Sequence, residues 1–282
     1  ENSMGLVEEE RRTVNTVDDE YFSACLLVMD DNHRLVEWIA YHYFVMNLRY
    51  LVILNDRFSR YSPKPILDKW RKYMVIEEWK DEDFMDEDHK KRAYSFLAER
   101  DKKSRQNRQQ YHMERQAHYY RYCALHMQAM NRTWVSFHDV DEYYVINSEV
   151  VKNATERMRE PGSVLKVLNQ VQSVVQPLFE LTNISLSEHH MTPCVTTYRQ
   201  LYGAVESTET ERRWGVPDFV DPKRFETLRW RHYTPQNVQP PQIGKSLLDV
   251  SKIPDLENKH YLDRPFVPFS PHKILPMCSS PF

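Results

Sequence analysis

Glycine is scarce in this sequence, and the scarcity limits how the protein can bind phosphate. Five glycines occur among 282 residues, against sixteen prolines. They form neither a Gly-x-x-x-x-Gly-Lys loop nor a Gly-x-Gly-x-x-Gly turn, which excludes the two common backbone cradles for nucleotide phosphates. A nucleotide bound here must therefore have its phosphates held by side chains or by a metal ion.

The sequence also lacks an excess of basic residues, long apolar runs and closely spaced cysteine pairs. The formal net charge is -3, so we predict no nucleic-acid partner. No apolar run approaches the roughly 20 residues that cross a bilayer. The four cysteines lack Cys-x-x-Cys spacing, so they form up to two disulfides in an oxidising compartment or remain buried thiols. They are Cys25, Cys123, Cys194 and Cys278.

The residues that are present suit a folded α/β domain, since 41% are hydrophobic and 12% aromatic. Short apolar segments alternate with helical patterns, which predicts parallel strands joined by crossover helices. We predict strands near 21–29, 50–54, 73–76, 134–137 and 194–198, and helices near 33–47, 63–70, 109–130 and 163–175. The fold class is α/β, with a mostly parallel central sheet flanked by helices and an irregular carboxyl-terminal segment.

The chain divides into an amino-terminal arm over residues 1–20, one catalytic domain over 21–262 and a tail over 263–282 packed on that domain. After residue 191, prolines and short β-like segments predict a region that folds over the sheet edge. The charged stretch 77–108, acidic and then basic, is interpreted as a solvated surface excursion, or alternatively as a mobile lid or acceptor-binding flap.

An acidic turn, Asp139-Val140-Asp141-Glu142, follows the strand near 134–137 after a single residue, His138. Ligands of open α/β sheets bind beyond the carboxyl ends of the strands. Two carboxylates on one turn suit Mg²⁺ or Mn²⁺, which keep coordination positions open for diphosphate oxygens. The alternative is a surface turn that caps the following segment.

Further candidates lie at the other strand ends and on the long helix. Asp30, Asp31 and Asp56 follow the first two strands and suit a ribose hydroxyl or a base, although capping of the next helix explains Asp31 equally well. Arg115 points at a donor diphosphate or is one of several solvated arginines on an amphipathic helix.

The carboxyl-terminal half contributes two more candidates. Lys245 follows Gly244 and suits close approach to a phosphate, and His260 is a metal ligand, a diphosphate donor or a structural histidine. Asn131, Asn153 and Asn183 each begin an Asn-x-Ser/Thr triplet, the acceptor pattern for N-glycosylation, which favours the secretory pathway.

These motifs, taken in order, resemble glycosyltransferase family 92. In that family a Lys-Asn-Glu triplet precedes a Glu-Trp-Ile-x-x-His helix, and here Met29-Asp30-Asp31 precedes a segment whose Glu-Trp-Ile-x-x-His pattern runs from Glu37 to His42. The match spans about residues 21–262. Its later pieces are Arg115-Gln116 with Cys123, Asp139 to Glu142, Arg199 to Gly203, Gly244-Lys245-Ser246 and His260.

The resemblance implies a GT-A fold and transfer of galactose from UDP-galactose to a glycan acceptor, with inversion at the sugar carbon. It implies Mn²⁺ (or Mg²⁺) held by Asp139 and Asp141, diphosphate contacted by Lys245, and His260 completing the site. It also implies a type II Golgi membrane protein, anchored by a segment outside this sequence. Because this chain lacks the lysine of the first triplet, the uridine contact and the donor identity are left open.

The expected reaction is a single displacement, which needs a carboxylate to accept the proton of the acceptor hydroxyl. Glu206 is our choice, with Asp218 and Glu226 as alternatives. Two other functions remain open. One is a non-catalytic carbohydrate-binding relative of the same fold. The other, less favoured, is a metal-dependent phosphatase, although phosphatases of the haloacid dehalogenase type carry their Asp-x-Asp turn after the first strand.

Overall fold

A six-stranded mixed sheet forms the centre of the protein in a computed structural model. The structure describes residues 21–98, 104–147, 151–170, 194–197, 200, 202–204, 230–233 and 245–252. The strands of this sheet are β1 (Phe22–Val28), β2 (Leu48–Asn55), β3 (Val75–Trp79), β4 (Trp134–Ser136), β5 (Cys194–Thr197) and β8 (Lys245–Asp249). A separate antiparallel pair comprises β6 (Tyr202–Ala204) and β7 (Trp230–Tyr233).

Helices connect the first four strands. They are α1 (Asn32–Val45), α2 (Lys64–Trp70), α3 (Glu87–Ala98) and α4 (Ser104–Ala129), followed by the short α5 (Ala154–Arg157) and a helix α6 over 163–170. Pro63 and Pro65 open α2, where a proline lacks no hydrogen bond that the helix needs. Among the described residues, no helix is long and apolar enough to span a membrane.

The strand order is β3-β2-β1-β4-β8-β5. The first four strands run parallel, β8 runs antiparallel to β4, and β5 runs antiparallel to β8. The chain leaves β1 towards β2 on one side and later returns to β4 on the other side. The carboxyl ends of β1 and β4 therefore flank the point where the winding direction changes, which is where open α/β sheets bind ligands.

Both faces of the sheet are buried, because β1 and β2 are almost continuously apolar. On one face, Leu26 and Ile53 pack with α1, α2 and the 154–168 region. On the other face, Cys25 and Val52 pack with α4. A disulfide between Cys25 and Cys123 joins β1 directly to α4. The α/β class and the mostly parallel sheet flanked by helices are confirmed.

Three local predictions are wrong. The region after residue 191 was predicted to fold over the sheet edge, but its described strands β8 and β5 extend that edge, and β5 matches the strand predicted near 194–198. The acidic stretch after β3 is not wholly a solvated excursion, since Asp81, Phe84 and Met85 are buried. Asp31 stands at the start of α1 but makes no side-chain capping bond. Its carboxylate instead accepts the backbone N–H of Met29 at 2.9 Å.

Candidate functional site

The acidic turn lies beyond the carboxyl end of β4. Ser136, the last residue of β4, pairs with Ala24 of the parallel strand β1, and Phe137 and His138 lead from it to Asp139. The Glu142 N–H donates to the Asp139 carbonyl at 3.1 Å, and the Asp139 N–H donates back to the Glu142 carboxylate at 3.0 Å. Val140 is buried in the core. Because Val140 anchors the middle of the turn, the half-exposed Asp139 and the exposed Asp141 are left with carboxylates at the surface.

Lys245 is a buried cation at the acidic turn. It is the first residue of β8, and the antiparallel pairing of β8 with β4 brings it to the end of β4. Its Nζ lies 2.9 Å from Asp139 Oδ2 and 3.2 Å from Glu142 Oε2. With only 4% of its surface exposed, the ammonium depends on these carboxylates, because burying an unpaired charge is costly. The structure therefore brings together Asp139 and Lys245, which the sequence predicts separately.

Asp31, at the end of β1, lies within electrostatic reach of Asp141 on the turn. Burial raises the pKa of Asp31, and the negative charge of Asp141 raises it further, while the hydrogen bond from Met29 and the charge of Arg34 oppose the rise. Two carboxylates that repel each other at neighbouring strand ends form a place where a cation is favourable.

Asp30 is engaged within the fold. It adopts a left-handed backbone conformation, with φ of 56°, at the exit from β1. Its carboxylate accepts the backbone N–H groups of Arg60 at 2.7 Å and Tyr61 at 3.1 Å. Its second oxygen accepts the Arg60 side chain at 3.2 Å. These contacts hold the loop after β2 in place, so the role of Asp30 here is to position that loop.

Arg115 is buried in an ion-pair network and is not a solvated helix arginine, which corrects that interpretation. Its guanidinium donates to Asp56 at the end of β2 and to Asp81 after β3, the latter at 2.6 and 3.0 Å. Tyr94 donates to the other Asp81 oxygen at 2.7 Å. Burial disfavours the charged guanidinium, but Asp81 and Asp56 hold the pKa of Arg115 above its ordinary value. Arg115 and Asp56 thus brace neighbouring strand ends.

Two buried histidines, His42 and His138, contact each other next to the acidic turn. His138 precedes Asp139, and its Nε2 lies 3.1 Å from Nε2 of His42 on α1. Burial holds the pKa of His42 down to about 3, and the pKa of His138 lies well below its ordinary value for the same reason. Both rings are therefore neutral at pH 7. His42 closes the Glu-Trp-Ile-x-x-His pattern in the sequence and His138 directly precedes the acidic turn, but neither position by itself predicts a role.

The remaining candidates fall outside the described residues: Glu206, Asp218, Glu226, Arg199, Gly244 and His260. Asp81 and Glu142 belong to the described strand-end network but were not among the predicted site residues. The signal for Asp81 was its position two residues beyond β3, at the same sheet edge as Asp56. Within the described ranges, no three His, Cys, Asp or Glu side chains could hold one metal ion together.

Comparison with known proteins adds no relative. No protein family, curated protein or solved structure matches the chain.

Proposed function

We propose that this chain is a metal-dependent glycosyltransferase with a GT-A fold, which transfers a sugar from a nucleotide-sugar donor to a glycan acceptor. The main support for this proposal is the acidic turn near the point where the sheet changes its winding direction. Asp139 of this turn pairs with the buried ammonium of Lys245 at 2.9 Å. The carboxylates of the turn and the ammonium of Lys245 would hold a metal ion and a diphosphate by side-chain charge. A chain with few glycines needs such charges, because it has no glycine loop for phosphate.

The protein's carboxylates suit Mn²⁺ or Mg²⁺ if the nucleotide sugar supplies the other coordinating oxygens. Asp139 and Asp141 would supply carboxylate oxygens, and such ions usually keep several positions for water and phosphate. A bound divalent cation would neutralise the diphosphate leaving group. Lys245 contributes a second positive charge at a fixed place, and a preorganised charge stabilises a developing anion without reorganisation.

The other assignments of the proposal follow from the resemblance. The donor is UDP-galactose, the reaction inverts the sugar carbon, Glu206 accepts the acceptor proton, and His260 completes the metal or phosphate site. The proposed location is the Golgi lumen, with a membrane anchor outside this sequence. The Cys25–Cys123 disulfide supports this location because disulfides persist in oxidising compartments. An Asp-x-Asp phosphatase is disfavoured, because the turn follows β4 and not the first strand.

A donor screen by thermal shift tests this proposal. UDP, GDP and CMP sugars are each added with Mn²⁺ or with a chelator. A nucleotide sugar at 100 times its Kd stabilises the folded state by about 2.7 kcal/mol. The unfolding entropy of 282 residues is about 0.6 kcal/mol/K, so the expected rise in Tm is about 5 °C.

The screen has a matched control pair. Asp141→Asn should abolish the Mn²⁺-dependent rise because it removes a metal carboxylate. Asp68→Asn, at an exposed carboxylate on α2 that pairs with Lys64 and Arg71, should preserve it. If no nucleotide sugar raises the Tm of the wild type in Mn²⁺, the transferase assignment fails. A Mn²⁺-independent rise with a free glycan would instead favour a non-catalytic carbohydrate-binding protein.

A further inference from the structure

The segment that enters the acidic turn is fixed by a chain of three hydrogen bonds. The Trp38 carbonyl can only accept, so Nδ1 of His42, at 2.8 Å, carries the hydrogen. Nε2 of the neutral His42 then accepts from His138 Nε2–H at 3.1 Å. His138 Nδ1 is left to accept the hydroxyl hydrogen of Ser136 at 3.0 Å. Each ring nitrogen has one partner, so the chain specifies one tautomer and one orientation for each ring.

The segment that leaves the turn is held by the same helix. The ring of Tyr143 stacks on His42, with centroids 5.8 Å apart and an interplanar angle of 13°. Tyr41 meets Tyr143 edge-on at 5.1 Å, and the Tyr41 hydroxyl donates to the Tyr144 carbonyl at 2.7 Å. The Tyr144 ring packs against His138 at 4.6 Å. Residues on either side of the turn therefore contact one face of α1.

Trp38 on α1 contacts both histidine rings. Its ring packs against His42 at 4.4 Å and against His138 at 4.9 Å, and it is fully buried. Trp38 and His42 stand four positions apart, so they lie on one face of α1. The Glu-Trp-Ile-x-x-His pattern thus has a physical consequence here: it presents an indole and an imidazole to the residue that precedes Asp139.

We infer that His42 and His138 are positioning residues, which set the orientation of the Asp139–Asp141 turn for metal and diphosphate binding. The binding part of this inference rests on the proposed function. Neither imidazole reaches the surface, so both act through the backbone of the turn. A metal site tolerates displacements of only about 0.5 Å in its ligands, and outer-shell partners that hold ligands change metal affinity by about 10- to 100-fold when removed.

Two substitutions at one position separate hydrogen bonding from packing. His42→Leu keeps a side chain of similar bulk and removes both hydrogen bonds. His42→Gln places an amide oxygen near the position of Nε2, where it can accept from His138. Met46→Ala is the control for loss of buried bulk, since Met46 is fully buried and caps α1 at the end opposite Asp31.

Two measurements are made on each variant at a temperature where all are folded. Hydrogen exchange is measured at the Asp139 and Glu142 amides, whose hydrogen bonds close the turn. Mn²⁺ affinity is measured by titration in the presence of UDP. We expect His42→Leu to lose at least 10-fold in amide protection at the turn and at least 10-fold in Mn²⁺ affinity. His42→Gln should recover most of both, and Met46→Ala should change neither.

The outcomes distinguish this inference from the proposed function. If His42→Leu leaves turn exchange at the wild-type level, or matches Met46→Ala, the positioning role is wrong. If the wild type fails to bind Mn²⁺ with UDP while His42→Leu still loosens the turn, the metal-binding proposal fails and the positioning of the turn stands.

Discussion

Opening the Cys25–Cys123 disulfide should destabilise the protein by about 4.7 kcal/mol. The bridge joins residues 98 positions apart, and in the chain-entropy treatment closing a loop of about 100 residues corresponds to about 4.7 kcal/mol. The loss in Tm follows from an unfolding entropy of about 0.6 kcal/mol/K for 282 residues, which gives about 8 °C. The loss arises mainly in the unfolded chain, which gains freedom when the bridge opens.

The assay is urea unfolding followed by tryptophan fluorescence, with and without reductant. Both cysteines are buried, so reductant should be added to the unfolded chain before refolding. Cys25→Ala/Cys123→Ala should be as unstable as the reduced wild type and insensitive to reductant. Cys194→Ala/Cys278→Ala serves as the control for the other two cysteines and should keep the full reductant effect. If the free energies of unfolding of the oxidised and reduced wild type differ by less than about 1 kcal/mol, the predicted contribution of the disulfide is wrong.

Other predictions concern charge and modification. Arg115→Met should cost about 3–5 kcal/mol in urea unfolding, because it leaves Asp56 and Asp81 buried without their cation, and Arg115→Lys should recover only part. Although burial opposes it, hydrogen bonds lower the pKa of Glu77 from 4.5 to about 2. Glu77 therefore contributes stability above pH 4.5 that is lost as pH falls towards 2, and Glu77→Gln should lessen this loss by about 1–2 kcal/mol after allowance for solvent screening. Asn131 is exposed, so protein secreted from eukaryotic cells should lose one glycan mass on Asn131→Gln; equal masses would contradict this.

The parallel half of the sheet was predictable because its signals are local. The strand from Phe22 to Val28 has mainly apolar residues on both faces. The helix that follows it begins at Asp30-Asp31-Asn32, where three polar residues interrupt the hydrophobic pattern. The same holds for β2 and for the proline-opened α2. In each case the residues that decide the element stand within it, and the alternation of elements then implies parallel pairing.

Strand β8 was not predictable in the same way. It has only five residues and begins with Lys245, so its pattern does not differ from that of a polar loop. Its place in the sheet depends on pairing with β4, where Ser136 faces Leu247. Pairing between segments more than a hundred residues apart leaves no periodicity in either one.

The candidate site shows the same division between local and distant information. Asp139 and Asp141 follow an apolar strand and were predicted as site residues from that context. Whether Arg115 faced solvent or the interior depended on Asp56 and Asp81, which lie on other elements. A helix with mixed charges looks the same in both cases, so the buried network could be recognised only once the strand ends were brought together.

The most direct test of the central claim is the position of Mn²⁺ in a crystal of this protein grown with Mn²⁺ and UDP. We expect an anomalous-scattering peak within about 2.0–2.3 Å of a carboxylate oxygen of Asp139 or Asp141, with the UDP diphosphate on the metal and near Lys245. A peak bound elsewhere in the molecule, or UDP bound away from the carboxyl ends of β1 and β4, would contradict it.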